Sequence, residues 1–107
     1  NRPAAEMIHV VASITVKESQ VASFLEIFKD NIPNVLAEEG CLEYAATVDM
    51  ETEIPIQDTA AHRVTVIEKW ESFAHLEAHF TAPHMLEYKG LVEGMVEDVS
   101  LKVLEGA

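Results

Sequence analysis

Residues Trp70–Met85 read WESFAHLEAHFTAPHM, and the fold follows from how this stretch is parsed. Trp70 ends a strand-like run. Ser72 is placed as an N-cap, because its hydroxyl can accept from a free amide of the first helical turn. Phe73, Leu76 and Phe80 recur at helical spacing, which predicts a short helix with one stripe toward a core. His75 and His79 are four apart and share a face of that helix. Pro83 breaks it and starts another. The stretch holds the only Trp and three of the five His of the chain.

Upstream, residues 62–70 (HRVTVIEKW) alternate as a strand, with Val64, Val66, Glu68 and Trp70 on one face. Residues 41–50 form another, and residues 51–61 a loop longer than a hairpin needs, either functional or a solvated insertion. Residues 19–39 carry Val21, Phe24, Leu25, Phe28, Ile32, Val35 and Leu36 at helical period. Pro33 falls inside that pattern and is expected to kink or break the helix near 32. Gly40 is placed to end it in a left-handed conformation. Residues 7–16 read as a first strand apolar on both faces. Downstream, residues 82–95 are helical, with Met85, Tyr88, Leu91, Val92 and Met95 on the apolar side, and residues 98–104 form a last strand.

The order is β-α-β-β-α-β, an α+β class with the ferredoxin-like pattern: four antiparallel strands with helices on one face. Val11, Ile67 and Leu104 fall on the other face, which predicts a homodimer packed through the sheet faces. Residues 7–107 are expected to form a single domain, and residues 1–6 a flexible tail or a remnant left from expression.

A net charge of -12 argues against nucleic acid, whose phosphates need Lys and Arg, and against anionic membrane surfaces. Cys41 is the single cysteine, so no intrachain disulfide can form. With no visible signal peptide and no apolar run near the ~20 residues that span a bilayer, a reducing, cytoplasmic location is expected. No G-x-G-x-x-G or P-loop is present, so no nucleotide cofactor is indicated.

His79 is the first candidate for a general base, since an imidazole titrates near neutrality; a structural His bonded to a carbonyl is the alternative. His75 either shares that role or sits at the helix edge. Glu68, among apolar neighbours, either has a raised pKa and orients His79, or pairs with Arg63 or Lys69. Trp70 either walls a cavity and stacks on an aromatic substrate or packs as a core residue. Tyr44 either donates to a substrate oxygen or packs with its hydroxyl wet. Phe80 and Met85 line a cavity or the core, and His84, after Pro83, either caps or packs beside the substrate site or takes a direct catalytic role. Three His near Glu68 and Glu77 raise a metal site, but H-L-E-A-H is not the H-E-x-x-H of zinc proteases, and no metal is expected. Cys41 lacks a catalytic partner pattern and is expected to be a small buried residue.

The pattern W-E-S-x-A-H-L-E-A-H-x-x-x-P-H-M resembles the antibiotic biosynthesis monooxygenase superfamily, and within it the members that oxidise menadiol-like quinols. Val35-Leu36, Glu38-Glu39-Gly40-Cys41, Tyr44-Ala45, Val48-Asp49, Ile67-Glu68, Trp70-Glu71-Ser72, Ala74–His79 and Pro83-His84-Met85 carry the match. The resemblance implies a dimeric α/β barrel with a cavity between sheet and helices. It implies oxidation of a small aromatic quinol to a quinone by dioxygen without metal, flavin or other cofactor. By the same alignment Ile14 faces that cavity where haem-degrading members carry Asn. Val66 stands where polyketide-oxidising members carry another Asn. Both departures favour a generic quinol. An isomerase of small diones and a non-catalytic quinone-binding or sensing domain are the competing functions.

Overall fold

Nine residues with alternating burial make the first strand, β1 (Ile8–Val16), in a computed structural model that describes residues 6–107. The tail expected over residues 1–6 lies, apart from Glu6, outside the described residues. A single 3-10 turn leads into α1 (Val21–Leu36). Then come β2 (Cys41–Val48), β3 (Arg63–Trp70), α2 (Phe73–Phe80), α3 (Pro83–Val92) and β4 (Val96–Glu105). The sheet order is β2-β3-β1-β4 and every neighbouring pair is antiparallel. This is the ferredoxin-like arrangement that the element order predicts.

Register sorts the side chains. Val10 is opposite Glu68, Ala12 opposite Val66 and Ile14 opposite Val64, all on the face under the helices. Tyr44 joins that face through its pairing with Glu68. Val11 and Ile67 pair on the opposite face, where Leu104 lies beside His9. Phe24, Phe28 and Val35 of α1 and Leu76 of α2 seal the core. No helix among the described residues is long and apolar enough to cross a membrane.

Three local expectations need correction. α1 runs through Pro33 to Leu36 without a break. Pro33 sits in the last turn, where its missing amide removes one bond and its own carbonyl still accepts from Ala37 at 3.1 Å. Phe73 is half exposed while Leu76 and His79 are buried, so the inward stripe of α2 is rotated toward the His. Leu91 likewise faces solvent, and α3 buries Met85, Tyr88 and Val92.

Gly40 does adopt the left-handed conformation, with φ of +81°, but four residues beyond the helix end. Its carbonyl accepts from the Glu71 amide at 2.8 Å, which ties the α1–β2 turn to the β3–α2 junction. A Cβ at this position would fall 2.2 Å from His75 Cγ, so the approach of the two segments also requires glycine. The 49–62 connection is held over β3 by the Arg63 guanidinium, which donates to Asp49 and Asp58. It contributes no residue to the cavity described next.

Candidate active site

The sheet and the helices do not close completely on each other. Between them lies a cavity of about 630 Å³, within the range of small-molecule sites. Its floor is Ala12, Ile14, Tyr44, Val66 and Glu68 from the sheet; its roof is Phe28, His79, Phe80, Met85, Tyr88 and Val92 from the helices. It opens beside β4, where Val99 and Leu101 line the rim with Lys89 and Glu93. The walls are mainly apolar, and His79 and Glu68 are the buried titratable groups that interrupt them, with the Tyr44 and Tyr88 hydroxyls.

His79 is positioned on every side. α2 starts at Ser72, whose hydroxyl accepts from the His75 amide at 3.3 Å, and this fixes the helix that carries the imidazole. The ring lies 4.7 Å from Trp70 and 5.5 Å from Tyr44, centroid to centroid. Nδ1 donates to Glu38 Oε2 at 2.9 Å, leaving Nε2 as the ring's acceptor. Burial holds the His79 pKa below its ordinary value, against the opposing pull of Glu38; the charges of His84 and Lys89 add to the lowering. The imidazole is therefore neutral at pH 7, the form a base requires.

Glu38 completes the site, and sequence reasoning assigned it no role. It lies in the turn between α1 and β2, and the same Oε2 accepts from His84 Nε2 at 2.6 Å. It has no periodic signature, because it belongs to neither helix nor strand. Glu68, expected to orient His79, instead accepts from the Trp70 indole N–H at 2.9 Å. Nor does it pair with Arg63 or Lys69, which engage Asp49 and Glu43. Their side chains alternate to the opposite face of β3.

Of the residues singled out in the sequence, His79, Glu68, Tyr44, Phe80, Met85 and Ile14 meet at the cavity. Trp70, expected as a wall, is fully buried one layer behind Glu68 and His79 and supports both. His75 lies one turn back on α2, with Nδ1 on the Ser72 hydroxyl at 2.7 Å and Nε2 3.5 Å from Glu39, away from the cavity. His84 reaches the site only through Glu38. Among the described residues, no group of three His, Cys, Asp or Glu is placed to hold a metal ion. Burial pushes the Cys41 thiol up to about 11, so it stays protonated.

Burial pushes the Glu68 carboxyl from 4.5 up to about 6; the indole hydrogen bond opposes this and Glu38 adds to it. The sign follows from linkage. Between 4.5 and about 6 the folded state binds more protons than the unfolded, so stability falls as pH rises through this window. The penalty is complete above it, at about 2 kcal/mol. Glu68→Gln keeps an acceptor for Trp70 and carries no charge. The stability of Glu68→Gln relative to the parent is expected to increase by about 2 kcal/mol between pH 4 and pH 7.5. Urea unfolding at both pH values measures this, and a pH-independent difference would refute it.

Residues 7–91 match the antibiotic biosynthesis monooxygenase family. The chain is 39% identical over 101 residues to "Probable quinol monooxygenase YgiN" of Escherichia coli K12, covering 92% of this chain and 97% of that protein. A conserved protein from Methanosarcina mazei superposes with a TM-score of 0.81 at 24% identity, over 97% of this chain and 96% of that one. PA3566 from Pseudomonas aeruginosa does so with 0.81 at 22%, over 99% of each. These two structures share the fold. The matched segment runs from the first strand through the cavity-lining helices, and by that match the chain belongs to the antibiotic biosynthesis monooxygenase family.

Proposed function

We propose that the chain is a monooxygenase that oxidises small aromatic quinols with dioxygen and needs no metal or organic cofactor. The observation that carries this reading is the apolar cavity with a buried neutral imidazole at one wall and a buried carboxyl at another. The relative bearing the name quinol monooxygenase supports the same substrate class.

In this reading a bicyclic quinol lies among Phe28, Tyr44, Phe80 and Tyr88. His79 Nε2 takes a proton from one hydroxyl. The resulting quinolate is electron-rich enough to give an electron to dioxygen, and the radical pair collapses to a peroxide anion on a ring C–H carbon. The O–O bond then breaks. One oxygen stays on the ring carbon, which loses its hydrogen as a proton to give the hydroxyquinone; the other leaves as water, with that proton and one taken back from His79. Burial pushes the Tyr44 and Tyr88 hydroxyls well above the usual phenol range, so both remain donors for a developing quinone oxygen. Lys89 is the single lysine lining the cavity, and its ammonium donates to the Phe80 carbonyl at 3.4 Å, which gives no basic clamp for a phosphorylated substrate.

A homodimer packed through the outer sheet face, where Val11, Ile67 and Leu104 lie, belongs to the same proposal. The helix-side face of β4, Val99, Leu101 and Val103, is 44–55% exposed. A second copy covering that patch would also enclose the cavity mouth. The location proposed with it is the reducing cytoplasm.

The test is oxygen uptake with an anaerobically prepared naphthoquinol, in chelator and with superoxide removed, on a sample whose mass is checked by light scattering. Uptake well above the buffer rate is expected, from a species of two chains. Uptake equal to buffer would remove the redox reading, and quinone binding without turnover would then favour a sensor.

A further inference from the structure

One carboxylate oxygen of Glu38 serves two imidazoles. His79 Nδ1 lies at 2.9 Å and His84 Nε2 at 2.6 Å from the same Oε2. The two rings meet different solvent. His79 is 3% exposed and faces the main cavity, whereas His84 is 25% exposed and lines a second cleft of about 300 Å³. That cleft lies between α1 and α3 and is edged by Asp30, Asn34 and Glu87. The two compartments are separated by Tyr88, which borders both.

A single buried carboxylate neutralises one imidazolium well and two poorly, because the second cation meets the first at short range in a low dielectric. We infer that His84 and Glu38 tune the base by charge exchange: as His79 takes a proton from substrate, His84 gives one up to the second cleft. The inference rests on His79 being the base of the proposed function.

His84 shares its cleft with the Asp30 and Glu87 side chains. His79 Nε2 gains the substrate proton and His84 Nδ1 loses one to water in the cleft. The two protons shared with Glu38 Oε2 stay in place, so the triad keeps its net charge. When the departing oxygen takes the proton back from His79, His84 is recharged from the cleft. Two other charged groups act on the triad: Lys89 of α3 on His79, and the Glu68 carboxyl of β3 on Glu38, itself titrating at about 6; Glu39, beside Glu38 in the turn, is occupied by His75. His84 and Glu38 are thus positioning residues. Neither borders the main cavity.

The experiment is an NMR titration of the His79 imidazole in the whole protein without quinol. Two variants are compared with the parent. His84→Gln keeps an N–H donor for Glu38 and removes the competing charge; it should raise the His79 midpoint by about one pH unit. His84→Lys places a permanent cation there and should lower it. A donor with a merely structural role predicts no shift with His84→Gln. A midpoint unmoved in either variant, or moved in the same direction in both, overturns the inference. Because no substrate is present, this outcome is independent of oxygen uptake, whose failure would instead remove the quinol reading.

Discussion

Replacing His79 with Ala is expected to lower kcat for quinol oxidation by about 100- to 10,000-fold, the usual worth of a positioned general base. The imidazole is held by Glu38 on one side and the Trp70 ring on the other, so its Nε2 is fixed before substrate enters. Its lowered pKa keeps it free of a proton at neutral pH. Two further readouts separate lost chemistry from lost packing. The deficit should narrow as pH approaches about 10, where a phenolic hydroxyl ionises without help. Added imidazole should restore part of the rate by occupying the space left in the cavity wall. A variant that folds, binds quinone and turns over within about threefold of the parent would sink the base assignment, because that is far below what general-base catalysis contributes.

The fold was legible because its signals are local. Ser72, the His75–His79 spacing and Pro83 are each read from neighbours within a turn, and each sits where the pattern puts it. Strand alternation likewise put Glu68 and Trp70 on one face, and their side chains are hydrogen bonded. What failed required knowledge of distance. Phe73 fits a helical stripe as well as His79 does. Only the docking of α2 against Trp70 and Tyr44 decides that the imidazole goes in and the phenyl stays half out. Glu38 was harder still. It is one of 19 acidic residues, in a turn with no period. Its importance depends on a carboxylate meeting imidazoles 41 and 46 residues away. The neighbouring Gly40 was the only local hint, since a left-handed residue marks a turn whose shape is imposed from outside.

The same long-range logic makes Trp70 the residue on which most depends for stability. Trp70→Ala is expected to cost about 3–5 kcal/mol, a large share of the ~5–15 kcal/mol that holds a small domain together. The indole is fully buried at the end of β3, paired in register with Ile8 on one side and Cys41 on the other, so no solvent or loop can fill the space it leaves. Its loss would reach the chemistry as well, since its N–H is the donor that restrains Glu68 and its face backs His79. Trp70→Phe separates the two effects. It keeps most of the packing and removes the hydrogen bond, so its stability cost should be about 1–3 kcal/mol, while the Glu68 carboxyl moves further above about 6 because the opposing indole contact is gone. Urea unfolding of both variants measures the first effect, and the pH dependence of the Trp70→Phe stability measures the second. Equal costs for Ala and Phe would mean that the hydrogen bond, and not the ring, dominates. A Trp70→Ala cost below about 1 kcal/mol would mean that the helices collapse onto the gap, and the two layers behind the cavity would then be far less rigid than the side-chain network implies.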